Sequence, residues 1–160
     1  MSDFVKVSGG RLTLGDRPFY FVGANSYDLM ILASTGQRAN VTELLDICAN
    51  MGLSVIRTWA FFDGPGGLQT APGVLSENYL EGLDFVIAEI GKRGMKVLPV
   101  LINYWRDYGG MFQYAKWALG TEPSKTEDFY SCSGAVQMFM DYMTAIISRT
   151  NSITGIAYKY

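Results

Sequence analysis

Histidine is absent from the chain, and cysteine occurs only twice, at Cys48 and Cys132. Zinc sites draw chiefly on those two residue types, so no metal is expected, and nothing in the sequence calls for another cofactor. Two widely separated cysteines make no disulfide framework. Cys48 falls on the apolar face of an expected helix, which favours a buried free thiol, and a disulfide to Cys132 stays open. Basic runs are also missing: 13 Lys and Arg stand against 15 Asp and Glu, which argues against a nucleic-acid partner. No apolar run reaches the length of a membrane span. The first residues, Met1-Ser2-Asp3-Phe4, lack the charged and apolar regions of a secretory signal. A chain expressed as given is therefore expected to remain cytoplasmic.

What is present suits one globular domain. The 160 residues are 49% hydrophobic, enough for a real core. Phe4–Val7 and Arg11–Leu14 flank Ser8-Gly9-Gly10, the pattern of a β-hairpin, and Gly15-Asp16-Arg17-Pro18 reads as a second turn. Phe19–Ala24 reads as the first buried strand, leaving through Asn25-Ser26-Tyr27-Asp28. A helix is expected from Asn40, with Glu43 at capping-box spacing and Val41, Leu44, Leu45 and Cys48 as one stripe. Gly52 closes it.

Ser54–Trp59 is the second strand. Within it, Val55-Ile56-Arg57-Thr58-Trp59-Ala60-Phe61 places a guanidinium and an indole where a buried strand gives way to its loop. Such a charge is costly without a carboxylate or a hydroxyl partner. The plain alternative is that Arg57 pairs with a nearby acid and Trp59 fills a gap. The glycine-rich loop Asp63–Gly67 fits no phosphate-binding spacing. Ser76 is placed to cap a third-segment helix with Leu80, Leu83, Ile87 and Ile90 buried and Asp84, Lys92 and Arg93 polar.

Lys96–Ile102 is nearly all apolar, as in a parallel strand covered on both faces, although Pro99 argues against a fully paired centre. It exits into the polar-aromatic stretch Asn103–Gly110. A short helix is expected over Phe112–Leu119, then a loop from Gly120 to Ser133. A last helix carries Val136, Phe139, Met140, Met143 and Ile147 as its core stripe. Strands alternating with amphipathic helices mean right-handed crossovers and a parallel α/β sheet. Ligand sites in such sheets gather at the carboxyl ends of strands. Asn25 and Tyr27, Arg57 and Trp59, and Asn103 and Trp105 mark those ends, and aromatics with amides and a guanidinium suit a carbohydrate. A rim of aromatic packing is the structural alternative.

Arg57-Thr58-Trp59-Ala60-Phe61, Leu68-Gln69-Thr70-Ala71-Pro72-Gly73-Val74 and Gly82-Leu83-Asp84-Phe85-Val86 resemble the endo-β-1,4-mannanases of glycoside hydrolase family five. Asp107-Tyr108-Gly109-Gly110, Gln113-Tyr114 and Thr154-Gly155-Ile156-Ala157-Tyr158-Lys159 are similar as well. The resemblance implies the N-terminal part of a (β/α)8 TIM barrel. That part would hold three to four βα units in an open parallel sheet, with a hairpin over residues 1–18 and the βα units over 19–160. It implies that Arg57 supports a nucleophilic carboxylate and that Asn25, Tyr27, Trp59, Asn103 and Trp105 line a cleft for β-mannan or manno-oligosaccharide. It also implies an extracellular protein. Asp28 stands where the family usually has an aromatic, and Tyr104 where it often has a second Asn.

The family's acid/base and nucleophile glutamates are expected beyond Tyr160, and a retaining glycosidase needs both, roughly 5 Å apart. Asp28, Asp63, Glu77 and Asp107 read as solvated loop or cap acids. A closed barrel takes about 250 residues, so the third strand is expected to be a free edge through which chains self-associate. Three readings follow: a mannanase portion inactive alone, a non-catalytic carbohydrate-binding half-cleft, or a truncated product without function.

Overall fold

The computed structural model describes residues 4–159. The chain opens with an antiparallel meander of β1 (Val5–Ser8), β2 (Arg11–Leu14) and β3 (Arg17–Pro18). Ser8 pairs with Arg11 across Gly9 and Gly10, both at positive φ, the conformation a two-residue hairpin loop demands. The turn expected at 15–18 also carries β3, whose two residues pair with Thr13 and Leu14.

The central sheet is parallel, in the order β4 (Gly23–Asn25), β5 (Val55–Trp59), β8 (Lys96–Val100). Between its first two strands lie α1 (Leu29–Ser34) and α2 (Arg38–Asn50). After β5 come a small hairpin, β6 (Gln69–Ala71) with β7 (Val74–Leu75), and then α3 (Glu77–Lys92). After β8 come α4 (Gly110–Leu119), α5 (Asp128–Ser131) and α6 (Ser133–Ile147). Among the described residues, β5 has two partners in this sheet, and β4 and β8 are its edges.

One core cluster joins Ile56 to Leu29, Val41, Leu45, Val86 and Ile90. A second gathers Phe61, Leu68, Leu83, Tyr114, Phe129 and Tyr142. The expected α2 stripe is realised in Val41, Leu45 and Cys48, and Gly52 at positive φ ends that helix. There Leu53 N–H bonds to the Cys48 carbonyl, a Schellman-type closure. Cys48 and Cys132 are both free thiols.

Several expectations need correction. The segment 19–22 is not a buried strand: Tyr20 is 82% exposed and Val22 68%. It forms an extended bridge, tied to the meander by Phe19 N–H on Leu12 O and to β5 by Ser54 N–H on Val22 O. Strand pairing starts at Gly23, where an added Cβ would meet Val55 O at 2.5 Å. The α2 helix begins at Arg38, two residues before Asn40. Gln37 holds the cap position, and Asn40 Nδ2 bonds to its Oε1. Ser76 is at the N-cap of α3, yet its side chain makes no cap bond.

The β8 strand is not covered on both faces. Leu98 is 50% exposed, and the edge position explains how Pro99 is tolerated opposite Thr58. The α6 stripe is shifted: Ala135, Tyr142 and Ile146 are buried, whereas Met140 and Ile147 are 45% and 40% exposed. The loop over 120–133 contains α5. The short α1 helix follows the polar exit at 25–28, in a stretch with no expected element, and six residues are too few to establish a helical period. It packs on α3 at Gly82, where a Cβ would lie 2.2 Å from Ser34 Oγ and 2.9 Å from Met30 O.

The largest correction concerns Asp84, which is fully buried. It accepts from Arg149 Nη2 at 2.7 Å, Tyr158 Oη at 2.7 Å and Ser152 Oγ at 2.8 Å, and its backbone carbonyl accepts from Asn151 Nδ2. Arg149 also reaches Glu77 at 2.7 Å. Burial pulls the Asp84 carboxyl up, but hydrogen bonds from Arg149, Tyr158 and Ser152 outweigh it and hold it below the usual range. This carboxylate staples the segment 149–158 to the middle of α3.

Removing one partner from a buried ion pair strands the other, at about 3–5 kcal/mol. Asp84→Ala is therefore expected to lower stability by that order in a chemical-denaturation curve. The sign in pH follows: a depressed carboxyl contributes fully above its unfolded value of 3.8 and loses its contribution as pH falls through the folded value. Gly82→Ala should cost about 1–3 kcal/mol through the clash with Met30 O. A variant as stable as the parent would show that α1 and α3 separate freely.

Candidate functional site

The parallel register carries the strand tips to one rim. Gly23, Ala24 and Asn25 lie beside Val55, Ile56 and Arg57, and Trp59 lies beside Val100. Alternation along β5 then sorts the side chains. Ile56 and Thr58 are fully buried, Ile56 within the helix-side core. Val55, Arg57 and Trp59 project to the opposite face. Asn25, directly beside Arg57, receives a hydrogen bond from its Nη1 at 2.5 Å. Both side chains are exposed, and among the described residues no carboxylate forms an ion pair with Arg57. An amide, rather than the acid of the plain alternative, orients the guanidinium. Its remaining donors are free for an anionic or hydroxylated group.

Tyr27 and Trp59 come together. Their ring centroids are 4.7 Å apart at a 45° tilt, and Trp59 N–H bonds to Tyr27 O. Trp59 also rests on Phe61 at 4.7 Å, so the indole is both rim and core. Asn103 sits beyond β8 and uses its amide on its own loop. Its Oδ1 accepts from Trp105 N–H at 3.1 Å, and its Nδ2 donates to Asp107 O at 3.3 Å. Trp105 is 69% exposed and stands edge-on to Tyr104, whose hydroxyl donates to Glu127. Asn25 with Arg57 and Tyr27 with Trp59 are thus assembled directly, while Asn103 shapes the loop that carries Trp105.

Two residues of this region escape sequence reasoning. Tyr108 closes the cluster, 5.1 Å from Trp59, 6.2 Å from Tyr27 and 5.1 Å from Phe62. In the sequence it stands out as one aromatic in a dense patch and as part of the Asp107-Tyr108-Gly109-Gly110 resemblance, without a place in the cleft. Asp63, expected from the sequence to be a solvated loop acid, is 3% exposed. Its Oδ2 accepts from Gly110 N–H at 3.3 Å and its Oδ1 from Tyr114 Oη at 3.4 Å. Gln69 Nε2 donates to the same Tyr114 hydroxyl, which directs that proton toward Asp63. Burial pushes the Asp63 carboxyl up to about 7, against the opposing bonds from Gly110 and Tyr114. The turn residues that follow Asp63 gave no sign of burial. The other acids differ: Asp28 is half-buried beside Ser26, Asp107 is exposed, and exposed Glu77 pairs with Arg149. Among the described residues no group of three or more His, Cys, Asp or Glu could hold a metal.

Three parallel strands with helical crossovers thus carry a guanidinium, an amide and stacked aromatics at their carboxyl tips. The chain belongs to the glycoside hydrolase family 5 beta-mannosidase-like family, which matches residues 2–160. It is 41% identical over 162 residues to mannan endo-1,4-beta-mannosidase 1 of Solanum lycopersicum, covering 99% of this chain and 41% of that protein. The family 5 mannosidase of Rhizomucor miehei superposes with a TM-score of 0.90 at 25% identity, over 99% of this chain and 46% of that one. The endo-1,4-beta-mannanase of Rhizomucor miehei gives 0.84 at 33% identity, over 98% and 44%. The chain therefore spans less than half the length of these relatives.

The buried carboxyl generates a stability prediction. A folded value raised from 3.8 to about 7 means that the folded state holds its proton more tightly than the unfolded state. The stability from Asp63 is therefore complete below 3.8 and is lost as pH climbs to about 7, amounting to about 4 kcal/mol. With no histidine in the chain, few other groups titrate in that window. Thermal melts between about pH 5 and about pH 8 should show the midpoint falling in the parent and nearly level in Asp63→Asn. Parallel slopes in the two proteins would assign the pH dependence elsewhere.

Proposed function

We propose that this chain forms the opening strands of the substrate cleft of a retaining endo-β-1,4-mannosidase. The observation that carries the reading is the pairing of Asn25 with Arg57 at adjacent strand tips, beside the Tyr27–Trp59 stack. A pyranose has apolar faces and polar edges. Stacked rings meet the first, and an amide with a forked guanidinium meets the second. Arg57 retains donors after bonding Asn25, and a carboxylate brought against it would be held ionised, as a glycosidase nucleophile must be. The two catalytic glutamates belong, in this proposal, to the part of the family domain that the chain does not span. On this view Asn25, Tyr27 and Trp59 hold the sugar, and Trp105 extends the platform outward from the loop that Asn103 shapes.

A second reading has its own support. Asp63, the buried acid beneath the rim, is bonded to Gly110 and Tyr114, and a single buried carboxyl cannot serve as both the acid and the nucleophile of a retaining hydrolysis. The chain on its own is then a carbohydrate-binding half-cleft. The β4 and β8 strands, which form the sheet's edges among the described residues, and exposed Leu98 further support association between copies, checked by light scattering against concentration. A polymeric substrate cannot cross a membrane, so the proposal carries an extracellular location for the complete enzyme.

The test is a titration of the chain with mannohexaose, followed by tryptophan fluorescence and by release of reducing ends. Binding with a Kd of about 1 mM, without cleavage, is expected. Joined to the remaining barrel of a family relative, the chain should gain mannan hydrolysis. There Arg57→Lys should cut turnover about 100-fold or more, because the guanidinium fork is lost. In the chain alone the same change should weaken mannohexaose binding, because the fork that meets the sugar's polar edge is lost. An Arg57→Lys enzyme with parental turnover would refute the role given to the guanidinium.

A further inference from the structure

Tyr108 is held in a strained backbone. Among the described residues it is the non-glycine at positive φ, with φ 60°, a conformation that persists only where the surroundings over-determine it. Gly109 and Gly110 follow at φ 94° and 62°. A Cβ at Gly109 would lie 2.3 Å from Asp63 O, and one at Gly110 would lie 2.3 Å from Asn103 O. The three residues are threaded between the backbones of two strand exits, where only glycine fits at the two positions after Tyr108.

Asp63 grips this bend at both ends. Its backbone N–H donates to Tyr108 O at 2.9 Å, and its carboxylate accepts from Gly110 N–H. The held ring then faces Trp59, Tyr27 and Phe62. We propose that Asp63 is a positioning residue that fixes Tyr108 as the third aromatic wall of the sugar-holding rim. The inference rests on the carbohydrate reading of that rim and adds to it a wall and the group that sets it.

The surroundings of Asp63 give the wall a pH dependence. Tyr114 from α4 bonds to it, Tyr142 from α6 lies close enough to feel its charge, and Gln69 from β6 acts through Tyr114. None of these groups is a cation. As Asp63 loses its proton, its bond to Gly110 N–H becomes charge-assisted and stronger. Tyr108 is then held more firmly, so sugar affinity rises with pH through the neutral range.

The test is a mannohexaose titration of the whole chain at about pH 6 and about pH 8, with the indole fluorescence also titrated in the absence of sugar. The parent should bind about two- to fivefold more tightly at the higher pH, and Asp63→Asn should bind equally at both. Tyr114→Phe removes one bond that lowers the carboxyl and should move the midpoint of the profile upward. This conservative variant keeps the test valid should Asp63→Asn fold poorly. Tyr108→Phe should bind as the parent does, and Tyr108→Leu about fivefold or more weakly. The parental pH profile persisting in Asp63→Asn, or Tyr108→Leu binding normally, would overturn the inference while leaving the sugar site standing. A pH-linked indole signal lost in Asp63→Asn, with no sugar bound by any protein, would overturn the sugar reading and the wall with it.

Discussion

The register of β5 between its two neighbours is the constraint on which this molecule depends. Asn25 and Arg57 meet because Gly23 pairs with Val55, and Trp59 reaches the rim because Val55 pairs with Lys96. Side chains alternate across a strand with a period of two, so a slip of one residue would exchange the faces. Ile56 and Thr58 would then leave the helix-side core, and Arg57 would enter it. Burying a guanidinium there without a partner is prohibitive. The residues that give the rim its chemistry also forbid the alternative pairings.

Three buried acids show how one residue class takes different tasks. Asp84 is buried with an arginine, a tyrosine and a serine around it, and it stays ionised because those bonds outweigh desolvation. Glu89 lies on α3 between Lys92 and Arg93, whose hydrogen bonds hold it below the usual range. Arg93 in turn reaches Asp46 and the Thr42 carbonyl of α2. These two acids join helix to helix and to the segment that follows α6. Asp63 has no cation beside it, and desolvation dominates. Asp84 and Glu89 fasten the scaffold behind the sheet. Asp63, beneath the rim, can change charge near neutrality, which is a property of sites more often than of frames.

The sequence disclosed the features that rest on local chemistry. The Gly9-Gly10 turn, the Val41–Leu45–Cys48 stripe, the Gly52 stop and the parallel order of strands all follow from propensity and period. The rim residues were legible because they sit where apolar runs end. The features it hid depend on distant partners. Asp84 occupies a helix position that looks polar and exposed until Arg149 and Tyr158 arrive from more than sixty residues away. Asp63 looks like a turn acid until Gly110 and Tyr114 cover it. The residues over 19–22 look like a buried strand because they are apolar, yet apolar sequence records the need for a cover and not its presence. The buried face of α6 departs from the expected stripe for a related reason. Its methionines fit a period, but the aromatic cluster around Tyr114 selects the face carrying Tyr142 and Ile146.

The open face of the sheet is graded along the strands. Near the amino ends, Val55, Phe19, Phe21 and Leu12, with Ile87 and Ile90 of α3, line an apolar cavity of about 470 Å³ beside the meander. Toward the carboxyl ends the same face carries Arg57 and Asn25, then the ring cluster. An apolar base is stabilised by any well-packed cover, because burial is non-directional. A polar tip is stabilised only by groups that match its donors and acceptors. Closing the base and filling the tip are therefore separable events, and a substitution at one need not disturb the other. Arg57 lies at the boundary between them. Its neighbours on the strand are apolar below and aromatic above, and its bond to Asn25 keeps it from folding down over the base.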